Sequence, residues 1–172
     1  MGNAMSFQRQ SVCFLTNIPV ERFKTLARRD QLPTLPDQIE DRDGERRQYS
    51  DLDVLAIAVA ERLWCQIGYA EGLLPGPASK IVGNALGGLD NILFSNPRSD
   101  QWIGYVGQPS ERGGSLGGYN VAGSLAEIFA AIRAANDEAP SERVFLINVS
   151  EVFRAIRMRA EKHGIQYPSD SE

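Results

Sequence analysis

A chain of 172 residues accommodates one mid-sized domain or two small ones. Its composition, 42% hydrophobic and 23% charged with 16 Gly and 9 Pro, is that of an ordinary globular protein. No apolar run reaches the roughly 18 residues of a membrane span, and two cysteines make neither a disulfide framework nor a four-ligand zinc site. A formal charge of −4 argues against coating nucleic acid by bulk electrostatics. The opening residues, Met1 to Met5, lack the basic-then-apolar order of a signal peptide, so a reducing cytoplasm and no membrane association are expected.

Two segments are predicted, 6–93 mainly helical and 101–166 mixing strand and helix, with the polar, Pro-containing stretch 95–100 between them. Residues 1–64 hold nine Lys/Arg against ten Asp/Glu, and residues 65–172 hold nine against twelve. Within the first segment the signs separate: Arg22, Lys24, Arg28 and Arg29 crowd one stretch, and Asp37, Glu40, Asp41, Asp43 and Glu45 follow it.

A short helix is predicted from Phe7 to Leu15, followed by turn chemistry at Thr16-Asn17-Ile18-Pro19. The next helix, over 19–30, carries Phe23, Leu26 and Ala27 as one apolar stripe, with Arg22, Lys24, Arg28 and Arg29 on its other faces. Two helices joined by a short turn, the second basic on its exposed side, suit entry into a DNA major groove. Leu32-Pro33 cannot continue a helix. Residues 42–49, with Asp43-Gly44 at the centre and Arg46, Arg47 and Tyr49 on the returning arm, read as a β-turn between short strands. Ser50 and Asp51 are N-cap candidates for a helix that reaches Ile67 and stops at Gly68. That helix is apolar around much of its circumference and is predicted to be the core of the segment. A further helix is predicted over 78–93.

These pieces in this order resemble the MerR-type winged helix-turn-helix family. The matching stretches are Asn17 to Lys24, Gln31-Leu32-Pro33, Arg47-Gln48-Tyr49-Ser50 with the helix after it, and Gly68-Tyr69; together they cover residues 7–82. The resemblance implies a winged domain that binds double-stranded DNA, with Lys24 on the recognition helix and Arg47 and Tyr49 on the wing as contacts. The cysteines of the family's metal sensors have no counterpart toward the C-terminus, so no metal or cofactor is implied.

In the second segment, 102–107 and 119–122 read as strands around the Gly-rich loop 109–118, which suits a hairpin better than a phosphate cradle. Ser124 and Glu127 form a capping box opening a helix to Asn136, with Leu125, Ile128, Phe129 and Ile132 inward. The apolar run 143–149 is suited to a central strand. Ser150 is placed as the cap of a last helix to His163, with Val152, Phe153 and Ile156 inward and Arg154, Arg157, Arg159 and Lys162 outward. Cys13 and Cys65 read as small core hydrophobes, and His163 as a helix-end residue.

The fold class expected is therefore α+β: a helical winged helix-turn-helix domain, then a small ββαβα domain with a three-stranded sheet. The function expected is that of a sequence-specific transcriptional regulator, with helix 19–30 in the major groove and wing 42–49 on the backbone. Arg22, Lys24, Arg28, Arg29, Arg46, Arg47 and Tyr49 are the candidate DNA contacts. So small a module reads few base pairs, and a homodimer is expected; whether the second domain senses a small-molecule effector or only dimerises stays open. Phage excisionases and small terminase subunits share the winged domain, and a protein-interaction adaptor that binds no DNA is the rival from another class. No acid–base pair or nucleophile set points to an enzyme.

Overall fold

The computed structural model describes residues 7–33, 48–65, 82–83, 85–86, 99–108, 117–136 and 143–168. These form five helices and a three-stranded antiparallel sheet, an α+β chain. Two compact units result, Met1–Gly83 with Glu151–Glu172 and Asn84–Ser150.

In the first unit α1 (Arg9–Thr16) ends at Asn17, which takes the left-handed conformation at φ 59° that Asn tolerates at low cost. The Ile18 N–H then closes back on the Cys13 carbonyl at 3.0 Å. Pro19, with φ already near helical values, supplies the carbonyl that accepts the first bond of α2 (Val20–Arg28). Phe23 and Leu26 bury one side of α2, whereas Ala27, expected in the same stripe, is exposed. The start of α3 (Asp51–Leu63) is a reciprocal capping box. Ser50 Oγ accepts from the Asp53 N–H at 3.2 Å, and the Asp53 carboxylate accepts from the Ser50 N–H at 2.8 Å. Every residue from Asp53 to Ala60 is buried, which makes α3 the core helix that its apolar circumference implied. A π-helical turn follows at Trp64 and Cys65. Gly68, the expected stop, lies outside the described residues, as does most of the helix expected over 78–93, of which 82–83 and 85–86 are helical.

The last helix, α5 (Val149–Lys162), was expected in the second domain, but from Glu151 onward it belongs to the first unit. Val152, Ile156 and Ala160 bury its inner face. Beyond its end Tyr167 inserts its ring between Phe7 and Phe153, at 5.9 and 5.8 Å, and donates its hydroxyl to the Asp51 carbonyl at 3.1 Å. Amphipathic spacing shows that a helix has an inner face, and long-range packing decides what lies against it.

In the second unit β1 (Trp102–Gln108) is flanked by β2 (Gly117–Gly123) and β3 (Arg143–Asn148), both antiparallel to it. The apolar run of β3, expected at the centre, is an edge, and Val144 on it is 40% exposed. β1 takes the centre because it pairs with β2 along one edge as a hairpin and leaves its other edge to β3, where Gly104 permits close approach: a Cβ there would stand 2.0 Å from the Phe145 carbonyl oxygen. The Gly-rich segment before β2 joins two antiparallel strands, as a hairpin requires, and its residues 109–116 lie outside the described ones. Val106 and Val121 pack against Ile128 and Ile132 of α4 (Leu125–Asn136). The expected capping box is present, Ser124 N–H to the Glu127 carboxylate at 2.8 Å and Glu127 N–H to Ser124 Oγ at 3.4 Å. Two expectations change. Leu125 and Phe129 face outward from α4, because two rather than four positions meet the narrow sheet. Ser150 lies within α5 rather than capping it, and its Oγ accepts from the Gln101 N–H at 2.9 Å.

Gly104→Ala forces β1 and β3 apart, and a loss of about 1–3 kcal/mol is expected from chemical denaturation. Tyr167 supplies a pH dependence. Burial first, and the Asp51 charge second, hold its phenol neutral well above the ordinary value of 10.0. The unfolded chain ionises first, so stability is intact below pH 10 and falls as pH rises beyond it, by about 1.4 kcal/mol per unit until the folded phenol itself ionises. Tyr167→Phe removes this component, measurable as urea midpoints across alkaline pH.

Candidate functional site

The cationic side chains predicted on α2 fall into two groups. Arg22 turns toward α3: its Nε and Nη2 donate to the two Glu61 carboxylate oxygens at 2.6 and 2.8 Å, a fork-to-fork pair. The guanidinium also lies 4.0 Å over the Trp64 ring. Both charges are largely covered, at 29% and 20% exposed, so Arg22 clamps α2 onto α3 with the donors expected to meet DNA.

Lys24, Arg28 and Arg29 remain outward. Lys24 pairs with Glu21 at 2.7 Å one turn earlier, and that hydrogen bond holds the Glu21 carboxyl below its usual value. Arg28 lies one turn beyond Lys24 on the same side, and Arg29 is the residue after the last turn. Both are exposed, and among the described residues neither is engaged by a hydrogen bond or ion pair. The α2 carbonyls end here, so the same two charges also suit the helix dipole.

The wing residues divide differently. Arg46 and Arg47 lie outside the described residues, together with the turn expected over 42–47. Tyr49 is 5% exposed, its ring edge-on against Phe23 at 5.7 Å. Its backbone pairs with Phe7 in both directions, at 2.8 and 3.0 Å. The ring expected at a phosphate or sugar is therefore a core contact, because Phe23 and the Phe7 bridge draw it beneath α2. Of the seven candidates, the structure brings Lys24, Arg28 and Arg29 to one exposed stretch, turns Arg22 and Tyr49 inward, and does not describe Arg46 and Arg47.

Two further residues behave otherwise than expected. Arg159, expected outward, is half-buried and donates to the Leu15 carbonyl at 2.8 Å, capping the end of α1. Cys65, expected in the core, is exposed; partial burial and the nearby Glu61 carboxylate raise its thiol, which donates to Glu61 at 3.6 Å. His163 follows the last residue of α5, at the helix end where it was expected, and its ring stands edge-on against Phe14 at 4.3 Å. Sequence reasoning missed the clamp acceptor, although Glu61 and Trp64, three residues apart on α3, present an acid and an aromatic on one helix face.

Among the described residues no three or more His, Cys, Asp or Glu side chains gather as a metal site requires, and no helix is long and apolar enough to cross a membrane. No family model and no curated protein matches the chain.

The clamp is testable by itself. Arg22→Ala removes two charge-assisted bonds and the ring stacking, with an expected cost of about 1–3 kcal/mol. A double-mutant cycle with Glu61→Ala is expected to return about 1 kcal/mol of coupling in thermal or urea unfolding.

Proposed function

We propose that the protein is a sequence-specific DNA-binding transcriptional regulator of MerR-like winged helix-turn-helix type. The observation that supports this reading best is the two-sided build of α2. Phe23, Leu26 and the Arg22–Glu61 pair hold one side against the unit, and Lys24, Arg28 and Arg29 stand outward on the rest. A helix so fixed presents cations at a defined place, which a groove contact needs and a freely solvated helix does not offer. In this reading α2 enters the major groove, and the 42–49 segment, through Arg46 and Arg47, lies on the flanking backbone. Tyr49, buried against Phe23, is in this reading a core contact of the first unit rather than a DNA contact.

Few phosphate contacts are available to one copy, so a homodimer on an inverted repeat belongs to the proposal. The outer face of α4 supports it. Leu125 and Phe129 are exposed one turn apart beside Ala126 and Ala130, in a helix whose described charges are one Glu and one Arg. A second copy of a chain carrying −4 meets least repulsion at such a face.

Selection from randomised duplex DNA at several salt concentrations tests the reading. One enriched motif is expected, with affinity falling steeply as salt rises. Arg28→Glu with Arg29→Glu is expected to abolish binding while leaving the thermal midpoint within a few degrees of wild type. Phe129→Glu is expected to shift sedimentation from dimer to monomer and to weaken operator binding with it. Failure of the wild type to enrich any motif replaces this proposal with the adaptor reading.

A further inference from the structure

A cleft of about 280 Å³ lies within the first unit, bordered by α1, α3 and α5. It exists because Ala58 on α3 and Ala155 on α5 present methyl groups where longer side chains would fill the space; Val152 completes an apolar floor. Four residues after each alanine, hence one turn on along the same helix face, stands an arginine: Arg62 after Ala58 and Arg159 after Ala155. Two guanidinium groups from different helices thus border one opening.

Their charge is not cancelled locally. Glu61 also borders the cleft, but both its carboxylate oxygens are held by Arg22. Arg62 is exposed, with no hydrogen bond or ion pair among the described residues. Arg159 spends one Nη on the Leu15 carbonyl, which fixes the guanidinium and leaves its other donors available. Two cations bordering one cleft attract an anion to it. The methyl floor in turn favours an anion that carries an apolar body over a small, fully hydrated ion. The volume sits near the lower bound of ligand pockets, about 300 Å³, and suits a single ring or a branched chain rather than a nucleotide.

We propose that this cleft binds a small organic carboxylate. The carboxylate lies between Arg62 and Arg159, and the apolar body rests on Ala58, Val152 and Ala155. Thr16 and Asn17 also line the cleft and lead directly into α2, so occupancy bears on the placement of that helix. That consequence rests on the DNA reading, whereas binding itself does not, and the experiment below uses no DNA so that the two can fail separately.

The test titrates the full-length, nitrogen-15-labelled chain with benzoate, isovalerate and inorganic phosphate, following amide shifts by NMR. Saturable shifts at residues 58, 62, 155 and 159 are expected with the two carboxylates, and weaker ones with phosphate. Arg62→Gln, at an exposed position, is expected to weaken carboxylate binding about tenfold. Ala155→Leu is expected to fill the floor and abolish binding while the thermal midpoint holds or rises. The proposal is overturned if neither carboxylate gives saturable shifts at these residues or if phosphate binds as well as they do. It is equally overturned if both variants, folded as judged by their spectra, bind like wild type.

Discussion

The first unit depends on one constraint: the middle of α3 is buried on every side. Its residues from Asp53 to Ala60 are all removed from solvent, so neighbours must surround it. α1 and α2 are only two to three turns each and cannot surround a helix of thirteen residues. Among the described residues, part of the remaining cover comes from the far end of the chain. α5 borders the same cleft as α3, and Tyr167 hydrogen-bonds the backbone of Asp51 at its start. The hydrophobic effect at α3 thereby recruits a segment about a hundred residues away in sequence and assigns α5 to a unit that its chain position does not suggest.

The same constraint explains why the capping box at Ser50 matters. A helix that is apolar all round has no exposed face from which its first N–H groups can reach water. The buried Asp53 carboxylate and the Ser50 hydroxyl meet that need from within the chain. It also explains Arg22. A two-turn helix holding itself by Phe23 and Leu26 alone has little apolar area, and the forked pair to Glu61 with the Trp64 ring beneath it adds a polar attachment at its first turn.

What could be read in advance was local chemistry. The left-handed Asn17, the start of α2 at Pro19, the Ser50 cap and the Ser124–Glu127 box each depend on residues within four positions of one another, and each is where its residue types place it. What could not be read depends on distant partners. Arg22 meets Glu61 across 39 positions, and Arg159 meets Leu15 across 144. Nothing in the spacing around either arginine distinguishes a solvated cation from a clamp. Tyr49 is a similar case, because a residue on a short paired segment points to one face or the other. The Phe7 bridge set that choice, and only tertiary structure supplies Phe7 as its partner. The edge position of β3 likewise follows from the pairing of β1 with β2, which no hydropathy pattern within β3 encodes.

The fate of each cation therefore follows from what acceptors the fold places within its reach, and that gives the basic residues a physical sorting. Arg22 has a carboxylate pair opposite it and Arg159 an uncapped helix carbonyl; both become structural and lose exposure. Arg28, Arg29 and Arg62 have no such acceptor among the described residues and stay outward. A cation that the fold leaves unmatched contributes little to stability, so whatever holds it in place comes from a ligand, a partner or solubility. Arg28 and Arg29 stand together at the end of α2, and Arg62 borders the cleft beside the turn that leads into α2. The bulk charge of this chain says little about any one patch, because the acids and bases are not averaged over its surface. Where an acid is paired with a cation within the fold, as Glu61 is with Arg22, a further cation beside it keeps its field, and that local field is what an approaching anion meets.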